Sequence, residues 1–394
     1  MQAQAATRRQ YQRTNRALFL AGFSTFALLY CVQPLLPTFS LYFGVGAATS
    51  SLPLSVATAS LAFAIFLSGP LSPLFSPRRV MFCSMAGAAL MNIAAAVAPG
   101  WGLLLAVRVI QGLFLGGVPA VAMAYLAEHV DSKNLGRSVG TYVAGNAFGG
   151  MMGRVAMGFL TEWTSWRFAL GAVGVAGLLA AAAFLTLLPA DQAGQTRMPI
   201  ALRDHVGLWR RHLRNSALRR LFAIGFLALG IQVAVFNYAG FRLGAEPYHL
   251  GEAAISAVYL VYGAGMFTSS FAGRMADRLG GRRPLMAGLL LMACGIALTL
   301  MDALAAVVAG IAVVTAGFFM AHSVASGWVG RIAEGGKSHA TSLYLLSYYL
   351  GSAVIGSAAG WFWETEGWWG VAGSALALSV VALGIASTFH RQRN

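Results

Sequence analysis

Residues 145–154 read GNAFGGMMGR and lie within one long apolar run. On a helix, Gly145, Gly149 and Gly153 fall on one face, where they leave a nearly bare stripe that another backbone can approach. In a water-soluble helix each glycine would cost about 1 kcal/mol relative to alanine. The stretch therefore predicts a membrane-spanning helix with a close neighbour. One tight helix pair, of the kind found wherever membrane helices touch, is the simpler interpretation of this spacing.

The composition places the whole chain in a membrane. Of its 394 residues, 58% are hydrophobic and only 10% are charged, so the polar residues are too few to cover a soluble particle of this size. Three cysteines within apolar runs argue against a disulfide framework. The polar, basic stretch 1–16 precedes the first long apolar run, and we therefore expect no cleaved signal peptide.

Twelve apolar runs are long enough to cross about 30 Å of hydrocarbon. They cover residues 17–38, 52–72, 80–98, 101–125, 138–160, 166–188, 219–241, 253–273, 284–301, 304–328, 339–361 and 369–388. This pattern predicts an all-α integral membrane protein with two six-helix bundles. The expected divisions are a tail at 1–16, a first bundle at 17–188, a linker at 189–218, a second bundle at 219–388 and a tail at 389–394.

Basic residues are distributed unevenly between the two sides of these spans. With the amino terminus inside, 23 of the 27 lysines and arginines fall on the cytoplasmic side. An even number of spans brings the carboxyl terminus to the same side. Basic loops that face an anionic inner leaflet also explain the net charge of +15, so nucleic acid is not an expected partner. We expect a multi-pass protein of a bacterial inner membrane with both termini in the cytoplasm.

The two predicted bundles resemble each other. At one constant offset, Tyr142, Gly149, Gly158, Glu162 and Trp166 match Tyr344, Gly351, Gly360, Glu364 and Trp368. Parallel six-helix repeats joined by a cytoplasmic linker are typical of transporters, in which the substrate cavity lies between the repeats. In the linker, apolar and basic residues are mixed at 200–211, which predicts an amphipathic helix at the membrane surface. A solvated linker is the open alternative.

Three stretches resemble motifs of the major facilitator superfamily. Residues 273–284, GRMADRLGGRRP, resemble its loop signature, while Arg108, Gln111 and Gly112 resemble its span-four motif. Residues 145–154 resemble the glycine-rich antiporter motif of span five. Nearly the whole chain looks like the twelve-helix drug:proton antiporter type, most nearly the YnfM-type bacterial inner-membrane transporters. The resemblance implies that superfamily's fold and proton-driven transport, and it implies that Gly145, Gly149, Gly150, Gly153 and Arg154 form the packing motif.

The loop signature predicts a gate. Its residues are Gly273, Asp277, Arg278, Gly280 and Arg282. The Asp277 carboxylate can cap a helix start, and the arginines can pair with it or with a neighbouring helix end. Such a cluster of ion pairs would hold one closed state of the protein and would break when the two halves rock. A basic loop that only orients the topology is the alternative.

The matching loop of the first half departs from the signature. It contains Gly69, Pro73, Pro77 and Arg78, with proline at 73 where the signature has an aspartate and at 77 where it has an arginine. Proline removes a backbone donor and supplies neither charge. We therefore expect a weakened latch in this half and a shifted balance between inward-facing and outward-facing states.

Ionisable residues inside spans are the best pointers to function. Arg108, the only basic residue that we place clearly within a span, lies about 10 Å inside span four by helical rise. It either orients an anionic group of the cargo or binds backbone carbonyls and Gln111. His322 in span ten is a candidate for proton exchange, because an imidazole has an ordinary pKa of about 6.5. A histidine that only bonds to a neighbouring helix is the alternative.

Carboxylates are missing from the deep parts of the predicted spans. A multidrug exporter of cations usually has a buried carboxylate that attracts the cation and exchanges it for a proton, so this pattern favours neutral or anionic cargo near Arg108. Arg108 and His322 are the candidates for proton coupling. Candidates for lining the cargo cavity are Tyr30, Gln33, Arg108, Gln111, Tyr142, Asn146, Gln232, Asn237, Tyr238, Tyr344 and Tyr348. The family resemblance also implies that the glycine stripe packs on small residues of span eight, such as Gly263 and Gly265, at the seam between the bundles.

No enzyme motif is present in the sequence, and we predict neither a cofactor nor a metal site. The leading prediction is a secondary active transporter that exports small drug-like, sugar-like or organic-acid molecules by proton antiport and alternating access, as in drug resistance. A proton symporter or facilitator that imports an organic anion is the alternative, and a non-transporting receptor or scaffold is more remote. The expected partners are a small-molecule substrate, protons and the lipid bilayer, and the protein is expected to be a monomer.

Overall fold

The computed structural model describes residues 2–71, 76–189 and 202–389, and within these residues the secondary structure is helical. The first half contains α1 (Gln2–Tyr30), α2 (Leu36–Phe43), α3 (Ala47–Ser50), α4 (Leu52–Leu71), α5 (Pro77–Ala96), α6 (Trp101–Leu115), α7 (Gly117–His129), α8 (Ser132–Trp163) and α9 (Trp166–Leu187). The linker contains α10 (Leu202–Arg214). The second half contains α11 (Ser216–Gly244), α12 (Glu252–Ala257), α13 (Tyr262–Leu279), α14 (Arg282–Leu298), α15 (Leu304–Ile332) and α16 (Lys337–Ser387).

These helices form the twelve predicted spans in the described part of the chain. Three spans are each built from two helices in sequence: α1 with α2, α6 with α7, and α12 with α13. The last two spans are both in α16, which Gly367 divides by adopting a φ of 58°. Among the described residues, eight helical stretches, three of which are these composite ones, are long and apolar enough to cross a membrane. The predicted all-α membrane fold of two six-helix bundles is confirmed.

Both ends of the described chain lie at the same end of the bundle. Arg13 donates to the carbonyl of Thr186 at the end of α9, and Arg220 donates to the carbonyl of Thr388 after α16. The linker helix α10 lies at this end as well, because it packs on the start of α16. We call this end of the bundle the linker side and the opposite end the far side.

The glycine stripe of α8 packs against α1. A Cβ on Gly149 would overlap the carbonyl oxygen of Phe23, and Gly145 and Gly153 lie equally close to the α1 backbone. The prediction that the stripe packs on span eight was therefore wrong, because α1 belongs to the same half. On α13, a Cβ added at Gly263 would have no atom of another described helix within 4 Å. Glycine spacing shows that a backbone approaches, but it does not select which helix approaches.

The second half repeats this contact. Gly351 of α16 lies against the carbonyl of Phe226 in α11, as Gly149 lies against the carbonyl of Phe23. Span five thus packs on span one as span eleven packs on span seven. The internal repeat predicted from the sequence is confirmed at this pair of glycines.

The predicted linker helix forms as α10 and packs on both halves. Trp209 stacks on Phe66 of α4, with 4.3 Å between the ring centroids. The imidazole nitrogens of His205 and His339, the latter at the start of α16, lie 2.7 Å apart. The helix is therefore held against the protein and is not a solvated segment. The linker boundaries at 189 and 218 remain a prediction, because 190–201 lie outside the described residues.

Replacing Gly149 by alanine should destabilise the first half by about 1–3 kcal/mol, since the added methyl group cannot fit against the Phe23 carbonyl. Equilibrium unfolding in mixed micelles measures this loss. Gly140→Ala is the matched control on the same helix, because nothing lies within 4 Å of its new Cβ. Equal stability of the two variants would contradict the close α1–α8 contact.

Candidate functional site

The first span breaks where its helix meets two prolines. Helix α1 ends at Tyr30, and a short turn at Gln33–Leu35 leads into α2. Pro34 lacks the N–H that would bond the carbonyl of Tyr30, and Pro37 lacks the one that would bond the carbonyl of Gln33. The end of α1 therefore has carbonyl groups without partners from its own helix.

Arg108 of α6 binds the carbonyls at this break. Its guanidinium is fully buried and donates to the carbonyls of Leu28 at 3.3 Å and Leu29 at 2.9 Å. It also donates to the carbonyl of Pro53 at 2.9 Å and to the side chain of Gln111. The structure thus shows the second of the two arrangements predicted for Arg108, in which it joins α1 to α4.

Gln111 extends this network deeper into the first half. Its amide nitrogen donates to the carbonyl of Ala88 at 3.0 Å and to the side chain of Asn92 at 3.1 Å. Asn92 in turn donates to the carbonyl of Leu170 at 2.7 Å. Arg108 and Gln111 therefore lie inside the first half, away from the second half.

Arg154 of α8 lies at the seam between the halves. Only 1% of it is exposed, and its Nε donates to the side-chain oxygen of Gln33 at 2.6 Å. Its Nη1 donates to the carbonyl of Gly150 at 2.7 Å, and its Nη2 lies 3.4 Å from the hydroxyl of Tyr262 in the second half. Three aromatic rings surround the guanidinium carbon at 3.9, 4.7 and 5.3 Å from their centroids: Tyr30, Tyr262 and Tyr259.

The expectation that Arg108 is the only basic residue clearly within a span was wrong, because Arg154 is buried in span five as well. Arg154 lies nine residues before the end of α8, which corresponds to about 14 Å of helical rise. It is therefore a second buried cation beside Arg108. The predicted span 138–160 already contained the residue, and this position was the signal that could have found it. Its partners come from other helices, which hydropathy does not reveal.

A chain of hydrogen bonds crosses from one half to the other. Gln33 accepts from Arg154 and donates to the side-chain oxygen of Asn237 at 2.7 Å. Asn237 donates to the carbonyl of Gly356 at 3.1 Å. Arg154 and Gly356 are separated by the repeat offset of 202 residues, and Gln33 and Asn237 by 204. The chain therefore runs across the pseudo-twofold axis of the repeat, and we call these four residues the polar seam.

The remaining predicted cavity residues fall into separate groups. His322 Nδ1 lies 3.0 Å from the hydroxyl of Tyr344, and its ring is tilted against that of Tyr348, with 4.5 Å between the centroids. Gln232 donates to Thr315 within the second half, and Tyr238 donates to the carbonyl of Ser357 near the far side. On the linker-side part of α8, Tyr142 and Asn146 face α1 near Gly22.

Two glutamates close the far side by equivalent contacts. The Glu162 carboxylate accepts from the backbone N–H of Ala253 in the second half at 2.6 Å. The Glu364 carboxylate accepts from the backbone N–H of Ala48 in the first half at 3.0 Å. Each carboxylate thus bonds a short helix of the other half, α12 for Glu162 and α3 for Glu364. Thr38 adds a further contact across the seam by donating to Glu252 at 2.7 Å.

The linker side lacks such contacts between α8 and α13 at three described glycines. A Cβ added at Gly136 or Gly140 on α8, or at Gly273 on α13, would have no described atom of another helix within 4 Å. The halves are therefore joined at the far side by the two glutamates, whereas α8 and α13 do not touch at these three glycines.

The gating residues that the structure describes lie on the linker side. Pro73 lies outside the described residues, and so do the surroundings of Gly69 and the side chain of Asp277, so the latch and its asymmetry remain predictions. Pro77 begins α5, and Arg78 donates to the carbonyl of Leu185 at 2.6 Å within its own half. In the second loop, Arg278 is exposed, Gly280 ends α13 with a φ of 76°, and Arg282 begins α14.

Comparisons with known proteins agree on one family. A sequence profile of the Major Facilitator Superfamily matches residues 18–356. The MFS-type transporter YybF of Bacillus subtilis strain 168 is 41% identical over 381 residues, which cover 97% of this chain and 94% of that protein. The inner membrane transport protein YnfM of Escherichia coli strain K12 is 40% identical over 390 residues, covering 97% and 92%.

Solved structures share the fold at low sequence identity. An inward-facing, unoccupied bacterial homologue of the human lysosomal transporter Spinster aligns with a TM-score of 0.74 at 14% identity, over 96% of this chain and 94% of that one. The peptide transporter POT in complex with sulfate aligns with a TM-score of 0.76 at 15% identity, over 95% and 94%. These likenesses show the arrangement of the helices.

Arg108→Lys should lower the free energy of unfolding by about 2 kcal/mol or more, because one ammonium cannot replace the bonds to three carbonyls on two helices. Equilibrium unfolding in mixed micelles measures the change. Arg137→Lys is the control, since Arg137 is exposed on α8. A loss no larger than that of the control would rule out the joining role of Arg108.

Replacing both Glu162 and Glu364 by alanine should open the far side, because two backbone N–H groups lose their charged acceptors across the seam. A cysteine placed at Ser357, which bonds Ser51 across the seam, reports this opening. Its alkylation by a membrane-impermeant maleimide should become about tenfold faster.

The alkylation is measured after the two exposed cysteines, Cys83 and Cys294, have been replaced by serine. Glu366→Ala is the control, because Glu366 is an exposed carboxylate at the same end of the same span. An unchanged rate in the double variant would show that the glutamates do not hold the far side closed.

Proposed function

The chain belongs to the major facilitator superfamily and is a membrane transporter, not an enzyme, and from this premise we propose that it exports small organic molecules in exchange for protons. The observation that carries the proposal is the polar seam on the pseudo-twofold axis. Hydrogen-bonding side chains of both halves meet there. The far side beyond them is closed by the two glutamates, and on the linker side α8 and α13 leave open space at Gly136, Gly140 and Gly273. This is where an alternating-access transporter needs its cargo site.

The same geometry supports rocking of the halves about the seam. Opening the far side requires the release of a few hydrogen bonds, chiefly those of Glu162 and Glu364. Closing the linker side requires α8 and α13 to approach through their glycine-lined faces. Both states then use contacts between rigid halves, as in domain rocking.

Proton coupling is assigned to His322, and Arg108 is assigned a positioning role. Arg108 donates hydrogen bonds to three backbone carbonyls and to Gln111, so it stabilises the chain where α1 ends. His322 bonds only the hydroxyl of Tyr344 among the described residues and lies among aromatic rings of the second half. An imidazole in this position exchanges a proton without breaking a structural network.

The import of an organic anion is the second candidate, and Arg154 supports it. A buried guanidinium without a carboxylate partner among the described residues favours an anionic cargo for either direction of transport. The direction of cargo transport is set by how proton binding is coupled to the inward-facing and outward-facing states. The proteoliposome experiment described below measures this direction.

The excess of basic residues on the linker side supports its placement in the cytoplasm. The protein then lies in the inner membrane of a bacterial cell, with both termini in the cytoplasm. The far side faces outward. The complete pair of bundles supports function as a monomer, because the polar seam is formed within one chain.

Transport is tested in proteoliposomes that are loaded with an acidic buffer and a pH-sensitive dye. A transported compound added outside should make the interior more alkaline if protons leave as cargo enters, which is antiport. Further acidification would instead indicate symport. A receptor or scaffold would give no flux with any compound, and that result would contradict both transport proposals.

His322→Gln should abolish proton-driven accumulation of cargo but preserve exchange of cargo against cargo, because glutamine can bond Tyr344 and cannot take up a proton. Both modes are measured with the same labelled compound in proteoliposomes. His129→Gln, at the linker-side end of α7, is the control. Proton-driven accumulation that survives in His322→Gln would remove His322 from the coupling step.

A further inference from the structure

We propose that the polar seam selects a small aromatic carboxylate, with the carboxylate bound to Arg154 and the ring directed into the second half. This inference rests on the proposed transport function and names the class of its cargo. It follows from three features of the seam: an unpaired positive charge, unused donors on the guanidinium, and an asymmetry between the two halves.

The positive charge of Arg154 lacks a carboxylate partner among the described residues. Its contacts are an amide oxygen, a backbone carbonyl, a hydroxyl and three aromatic rings. Neutral groups of this kind compensate a buried charge only in part. A buried, unpaired cation inside a membrane protein therefore marks a place where an anion is bound during function.

The guanidinium also retains donors for a ligand. It carries five N–H hydrogens, and the described contacts engage one on each nitrogen. The bond to Tyr262 is the longest of these at 3.4 Å, so a ligand can displace it at low cost. The guanidinium carbon lies over the rings of Tyr30 and Tyr262, and the N–H bonds of a guanidinium lie in the plane of the group, along its edge. A carboxylate binds such an edge through two parallel hydrogen bonds.

The second half offers no matching charge. Gly356 lies at the repeat offset from Arg154. The side chain of Val233 lies beside Gly356, whereas in the first half Arg154 lies over the ring of Tyr30. Next to the seam the second half presents aromatic side chains: Phe236 and Phe319 pack on Tyr262, and Phe318 packs on Phe319. A cargo held at the seam thus meets a cation on one side and aromatic rings on the other. An anion with an aromatic body matches both.

The test uses purified protein in lipid nanodiscs and three probes of the same shape: benzoate, benzamide and benzylamine. At neutral pH they are an anion, a neutral amide and a cation. Binding is measured by calorimetry and by the rise in unfolding temperature. We expect benzoate to bind at least about tenfold more tightly than benzamide, and benzylamine to bind most weakly.

Two variants test the role of Arg154 in this selectivity. Arg154→Gln should remove the preference for benzoate over benzamide. Arg154→Lys keeps the charge but loses the planar donor edge, so it should weaken benzoate and retain part of the preference. If Arg154→Gln does not fold, the affinity of Arg154→Lys for benzoate relative to benzamide still tests the role of Arg154. Arg167→Gln is the control, because Arg167 also binds carbonyls and aromatic rings but lies at the start of α9 near the far side.

Equal affinity for benzoate and benzamide, or an unchanged preference in both Arg154 variants, would overturn the inference. Failure of the cargo class is distinct from failure of the transport proposal. If neutral or cationic compounds drive proton flux in the proteoliposomes while benzoate does not bind, the class is wrong and transport stands. If benzoate binds with the expected preference but no compound is moved, the anion site stands and transport is wrong.

Discussion

The bond between Arg108 and the broken end of α1 is the constraint on which the site depends. Proline prevents α1 from continuing, and in a membrane the carbonyls left at its end need donors from the protein. Arg108 supplies them and joins α1 to the carbonyl of Pro53 in α4. Because α1 ends here, Tyr30 and Gln33 contact Arg154. A hydrogen-bond network buried inside one half therefore shapes the seam between the two halves.

Arg108 and Arg154, the two described arginines that are at most 1% exposed, have different surroundings, and this difference separates structure from function. Arg108 bonds three carbonyls and a glutamine, which makes it a fixed part of the first half. Arg154 bonds one amide oxygen and its own helix and is otherwise surrounded by aromatic rings. Because Gly356 occupies the equivalent position of the second half, the charge at the axis belongs to one half alone. A pseudo-symmetric frame thus carries an asymmetric site.

Contacts that follow the repeat close the far side. Gly158 approaches Ser256 of the second half, and Gly360 approaches Ala48 of the first, so in each case a missing side chain lets a span of one half reach the other. The glutamate one turn further along each span then bonds a backbone N–H at that contact. Glycine and glutamate act together at both places: the first permits the approach, and the second holds it with a charged hydrogen bond.

The sequence by itself determined the spans, the repeat and the class of protein, because length, hydropathy and residue spacing are properties of consecutive residues. It also identified Gln33, Asn237, Arg108 and His322 as polar groups inside spans. Only the tertiary structure decided that the glycine stripe of α8 packs on α1, that Arg108 bonds three carbonyls and Gln111, and that Arg154 lies at the seam. These facts depend on which helices are neighbours. Residues far apart in the chain set that choice, and the spacing along one helix does not encode it.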